Sequence, residues 1–100
     1  MQQKVKDFNA KNRRAPMPLT ARLLDTQSEL GELAKAYLEN TEYGTAAFHL
    51  DEACQLEFGD VLYCLLSLAN ELNLDAAKCL DLALQKYQNR INQKQSMSSQ

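Results

Sequence analysis

The sequence contains no tryptophan, three glycines, two prolines, three cysteines and a single histidine in 100 residues. So few turn-forming residues argue against an all-β fold, which at this length breaks its chain about every 8–12 residues. An odd number of cysteines (Cys54, Cys64 and Cys79) with no CxxC pair excludes a disulfide framework and a thiolate zinc site. The three read as small core residues of a cytoplasmic protein. The one histidine, His49, lies outside any ExxH pattern, which argues against a ferritin-type di-iron centre. It is assigned to a loop. Long apolar runs are also missing. Val61 to Ala69 is the longest, interrupted by Ser67, far short of the ~20 residues of a membrane span. The first fourteen residues, MQQKVKDFNAKNRR, have no apolar stretch of the kind a secretory signal needs. A membrane partner is not expected.

What is present is a chain 45% hydrophobic and 24% charged, the balance of one soluble, mostly helical domain. Residues 1–95 are expected to form that domain and residues 96–100 a polar tail. Charge is unevenly spread. Residues 1–22 carry six basic groups and one acid, residues 23–60 nine acids and one lysine, and residues 61–100 four basic groups and three acids. No sustained basic face results, so a nucleic-acid partner is not expected. An acidic middle beside basic flanks suits a site that gathers cations and meets anions at its edge.

Four helices are predicted. The first covers residues 3–11, with Val5 and Phe8 on its apolar side. Pro16 and Pro18 then force an extended loop. A second helix runs from Leu19 or Thr20 to about Glu39, with Leu19, Leu23, Leu30, Leu33 and Tyr37 at helical spacing. Residues 40–50, containing Gly44, form a polar, mobile loop. A third helix begins near Asp51–Glu52 and ends near Leu72. Asp75 caps the last, about residues 76–94, whose apolar side carries Ala77, Leu80, Leu84 and Tyr87. The third helix contains VLYCLLSLA and is apolar nearly all round, so a partner chain is expected to cover it, most simply in a symmetric dimer. Tyr37, Tyr63 and Tyr87 read as packing or interface residues.

Two segments carry chemistry: Glu29-Leu30-Gly31-Glu32 and Glu57-Phe58-Gly59-Asp60. Each places two acids at i, i+3, on one helical face. Each also spends a glycine in mid-helix, at about 1 kcal/mol relative to alanine, which predicts close helix approach there. The second pair continues into a thin polar stripe of Cys64, Ser67 and Glu71. The first shares its face with Asp25. If the helices are antiparallel, four carboxylates converge and repel unless neutralised. Oxygen-only ligands point to a hard divalent cation, Mg²⁺ or Mn²⁺.

An ExxE pair, a spacer of about two dozen residues, and then ExxD running into DVLYCLLSLAN resemble the MazG-like all-α nucleoside triphosphate pyrophosphohydrolases. SELGELAKAYLE and LEFGDVLYCLLSLANELNLD are especially similar, and the likeness covers Leu19 to Arg90. The resemblance implies a four-helix MazG-like bundle completed by dimerisation, as a homodimer or tetramer. It implies a Mg²⁺-dependent hydrolase that splits a nucleoside triphosphate between the α and β phosphates into monophosphate and pyrophosphate, in a nucleotide-pool house-cleaning role. Carried over residue by residue, it makes Glu29, Glu32, Glu57 and Asp60 the metal ligands and Glu29 the catalytic base. Asn70, Lys86 and Arg90 become the phosphate-holding residues, the last two one turn apart on the final helix. Phe8 and Met17 are candidates to pack on the base. Ser28 stands where many members have a further glutamate. The competing reading is a helical interaction or regulatory module that keeps the fold and has reduced catalysis.

Overall fold

The computed structural model describes residues 1–98. Its order is α1 (Gln2–Lys11), α2 (Leu19–Asn40), α3 (Glu52–Glu71) and α4 (Ala76–Ser98), with no strand among the described residues. The local reasons are those the sequence offers. Pro18 is the N-cap of α2, where a missing N–H costs nothing. Asp51 caps α3, its Oδ1 accepting from Cys54 N at 2.8 Å. Asp75 does the same for α4 through Lys78 N at 3.2 Å. The turn between α3 and α4 passes through Asn73 in the left-handed region, φ 55°, a conformation asparagine tolerates. α4 runs on to Ser98, past its expected end near 94. The expected tail therefore starts inside the helix, and its last two residues, 99 and 100, lie outside the described residues.

α2 and α3 form the central hairpin, packed antiparallel, and α1 lies across α3. The segment expected to be a mobile loop is instead bracketed. Asn40, the last residue of α2, donates from Nδ2 to His49 O at 2.7 Å and to Asp51 Oδ2 at 2.7 Å, while its Oδ1 accepts from His49 N at 3.1 Å. The chain turns through left-handed Glu42, Tyr43 and Gly44, and the buried Thr41 hydroxyl accepts from Gly44 N at 3.1 Å. Tyr37 stacks on Phe48 with ring centroids 5.5 Å apart. His49 is a loop residue, as its sequence context suggests.

The core is small: Cys54, Cys64, Leu66 and Ala69 are its buried apolar side chains. α3 is not enclosed on all sides within one chain, since Leu56, Phe58 and Leu65 stay exposed. Nor do Gly31 and Gly59 mark close helix approach, because a Cβ at either would meet nothing within 4 Å. α4 is tied at its start, where Gln2 Oε1 accepts from Ala76 N at 2.8 Å, and then shares no extended face with another helix. The Cα radius of gyration is accordingly 17.9 Å, against about 13 Å for a compact domain of this length.

Candidate metal and phosphate site

Three carboxylates meet on the α2–α3 seam. One oxygen from each of Glu29, Glu57 and Asp60 lies within 4.8 Å of the others. Glu29 and Glu57 are half-buried and Asp60 is exposed. Among the described residues no basic side chain is paired with them. Glu29 therefore titrates above the ordinary 4.5, first because burial disfavours its charge, then because Asp60, Asp25, Glu57 and Glu32 surround it with like charge. Oxygen donors alone suit a hard divalent cation such as Mg²⁺, and the three carboxylates would draw closer together to hold one. Glu32 stands outside this cluster. It is exposed on α2 and borders, with Glu57, a neighbouring polar cavity of about 540 Å³.

The seam continues away from the carboxylates in a different chemistry. Arg22 is 5% exposed and grips Glu71 from Nε and Nη2, at 3.2 Å and 2.9 Å to Oε1. It also stands 3.6 Å from Asp25 Oδ2. Cys64 Sγ donates to the same oxygen at 3.5 Å. Burial first, and then this bond to Asp25, push the Cys64 thiol up to about 11. Ser67, 1% exposed, accepts from Asn9 Nδ2 at 3.3 Å, and the Asn9 carboxamide oxygen accepts from the Tyr63 hydroxyl. The polar stripe of α3 thus serves helix pairing rather than metal binding over Cys64, Ser67 and Glu71. Asp25 belongs to the Arg22 ion pair and not to the triad.

The residues expected to hold phosphates are not gathered with the acids. Asn70 lies on α3 ten residues beyond Asp60, roughly 15 Å along the helix, and its Nδ2 donates to Gln2 O at 3.3 Å. Lys86 and Arg90 are on α4, which packs on neither α2 nor α3, and Lys86 Nζ sits 5.0 Å over its neighbour's ring, Tyr87. Phe8 meets Tyr63 edge-on at 6.1 Å, and Met17 N reaches Glu71 Oε1 at 3.5 Å. Ser28 is exposed on α2. Sequence reasoning missed Arg22 and Asn40. Arg22 stood in the basic N-terminal tally, and its i, i+3 spacing to Asp25 was the available signal. Asn40 looked like a helix terminator only.

No model of a protein family matches the chain. The YpjD protein of Bacillus subtilis, whose own activity is not characterised, is 35% identical over 79 residues, covering 76% of this chain and 67% of that one. Among solved structures, a Bacillus-conserved MazG protein, a nucleotide pyrophosphohydrolase, superposes with a TM-score of 0.73 at 25% identity, over 87% of this chain and 84% of its own. The Bacillus subtilis YpjD structure, for which pyrophosphatase activity is suggested, gives 0.70 at 28% identity, over 86% of each chain. The chain belongs to the MazG-like all-α family.

Proposed function

We propose that this protein is a divalent-metal-dependent nucleoside triphosphate pyrophosphohydrolase, splitting its substrate between the α and β phosphates to a monophosphate and pyrophosphate. The observation that carries this reading is the triad of Glu29, Glu57 and Asp60 within 4.8 Å, in a chain similar to a nucleotide pyrophosphohydrolase over most of its length. Unpaired carboxylates converging on a half-buried seam call for a cation, and a hard one suits oxygen-only donors. Glu29, Glu57 and Asp60 hold Mg²⁺ in this reading, with Glu32 one turn away as a further ligand. A bound divalent cation supplies charge neutralisation at phosphate oxygens and acidifies a coordinated water.

Glu29 is the residue suited to take the proton. Its raised pKa, caused by burial and four acidic neighbours, makes its carboxylate a stronger base than an ordinary glutamate. Asn70, Lys86 and Arg90 are assigned to the phosphates. Residues 1–95 act as a single unit, in a homodimer or tetramer. The single chain exposes 8027 Å², where a compact monomer of its mass exposes about 5,700 Å². Three free thiols suit the reducing cytoplasm, and a nucleotide-pool role follows from the reaction. Among the described residues no helix is long and apolar enough to cross a membrane.

Pyrophosphate release should be measured with Mg²⁺ across canonical and damaged NTPs and dNTPs, using Asp60→Asn as control. Release abolished in the control, with helicity unchanged, is expected. Silence across the panel from a folded protein that binds Mg²⁺ would overturn the hydrolase reading and favour an interaction module.

A further inference from the structure

The α2–α3 hairpin is joined by chain at one end only, through the segment after Asn40. At that end Asn40 Nδ2 also reaches Asp51 Oδ2 at 2.7 Å. The opposite, open end, where α2 begins and α3 finishes, has no covalent tie. Arg22 stands there, the one charged side chain buried among the described residues. It offers three nitrogens to two carboxylates. Nε and Nη2 bind Glu71 of α3, and Nη1 lies 3.6 Å from Asp25 Oδ2 on its own helix. From α3, Cys64 Sγ donates to that same Asp25 oxygen. One turn further along the seam comes the acidic triad, since Asp25 precedes Glu29 by four residues and Cys64 follows Asp60 by four.

Apolar packing alone does not account for the register of the two helices. The buried apolar side chains are Cys54, Cys64, Leu66 and Ala69, of which only Leu66 is large. A Cβ at Gly31 or Gly59 would meet nothing within 4 Å. Apolar contact is non-directional, whereas a guanidinium–carboxylate fork fixes distance and angle together. The triad needs such a constraint, because one oxygen from each member lies within 4.8 Å of the others. Turning α2 by 30° swings a side-chain tip about 6 Å from its axis by roughly 3 Å, and a slip of one turn moves it about 5.4 Å. Either change would disperse the cluster. Like charge among Glu29, Glu57 and Asp60 pushes the helices the same way. A buried ion pair adds little stability over well-packed apolar residues, which leaves conformational specificity as the role of this one.

We propose that Arg22 is a positioning residue for the triad. By gripping Glu71 at the open end of the hairpin and keeping Asp25 to itself, it sets the register of α2 on α3. That register fixes the spacing of Glu29 from Glu57 and Asp60. Arg22 is about 10 Å along α2 from Glu29, so it acts through helix placement. The consequence for a bound cation rests on the hydrolase reading above, while the register rests on the fold alone.

Four variants of the full chain test this. Arg22→Lys keeps the charge and loses the fork. Glu71→Gln keeps the size and loses the charge. The exchange Arg22→Glu/Glu71→Arg moves the guanidinium to the other helix. Leu66→Ala removes buried packing from α3 and leaves the ion pair intact. Mg²⁺ affinity is read by titration calorimetry, with helicity and the urea midpoint measured alongside. Arg22→Lys and Glu71→Gln are expected to bind Mg²⁺ about tenfold more weakly, the scale of a lost supporting contact at a metal site, and the exchange to recover most of that loss. Leu66→Ala is expected to lower the urea midpoint and keep wild-type affinity, which separates positioning from stability. Wild-type affinity in both Arg22→Lys and Glu71→Gln, or an equal loss in Leu66→Ala, would overturn the proposal, whether or not the exchange folds. A second readout needs no metal. In the apo protein, nuclear Overhauser contacts between residues 25–33 and 57–64 are expected to form one set in wild type and to change in Arg22→Lys. The same contacts in Arg22→Lys as in wild type would also overturn it. A wild type that binds no Mg²⁺, with contacts that change in Arg22→Lys, would keep the register role and discard the metal reading.

Discussion

Burial and neighbouring carboxylates act on both Glu29 and Cys64, raising the pKa of each. Glu29 is raised by burial and by Asp60, Asp25, Glu57 and Glu32. A cation bound among those acids favours the charged form and draws the value back down. In the proposed site, magnesium and the proton therefore compete. Apparent Mg²⁺ affinity should fall as the pH drops through the Glu29 titration, and binding in that range should release a proton. Titration calorimetry in buffers of different ionisation heat reads that release directly, and a buffer-independent heat would refute it. The same sign governs stability: a glutamate raised in the folded state favours folding below its unfolded pKa, and that contribution is lost as pH rises through the folded value. Cys64, pushed up to about 11 by burial and then by its bond to Asp25, is almost wholly thiol at neutral pH. It should resist iodoacetamide at pH 8 until the chain is denatured, as peptide mass mapping would show. Arg22 is buried and grips Glu71 through two of its nitrogens. Truncating Arg22→Ala strands Glu71 and should lower stability by about 3 kcal/mol, seen as a lower urea midpoint.

Helices were legible in the sequence because each carries its own punctuation. Pro16 and Pro18, Asp51 and Asp75 announce starts, and observed bounds fall within a residue or two of the expected ones except at the α4 end. That end has no glycine or proline to stop it, so polarity alone was a poor guide. The antiparallel pairing of α2 with α3 was also legible, through the short connection between them. Three of the four expected ligands lie together, while Glu32 falls one turn off. Two features could not be read locally. Glycines in mid-helix suggested close approach, but open space surrounds both in one chain. The 40–50 segment looked mobile because its composition is polar, yet one side chain, Asn40, satisfies backbone and carboxylate partners nine and eleven residues on. Losing that bracket should loosen the cap of α3. Asn40→Ala is expected to raise amide hydrogen exchange over residues 41–51 while leaving the α2–α3 seam protected, since local opening can be confined to such a unit.

At the scale of the molecule, the radius of gyration is 17.9 Å, and α4, tied at its start by Gln2, shares no extended face with another helix of its chain. The protein's thermal midpoint should rise with protein concentration, because association stabilises only the folded form. A midpoint unchanged over a hundredfold dilution would show that α4 needs no partner. The seam between α2 and α3 solves one electrostatic problem in two ways. At its lower end the acids Asp25 and Glu71 are answered by a resident cation, Arg22. At its upper end Glu29, Glu57 and Asp60 face one another with no basic partner among the described residues. A lysine at the upper end, in the variant Glu57→Lys, would make the two ends alike. That protein should melt higher in the absence of magnesium, gain nothing when it is added, and turn over no nucleotide. The mutual repulsion of Glu29, Glu57 and Asp60 is stability given up for the metal-binding role proposed above, and a selection for heat resistance alone would be expected to relieve it.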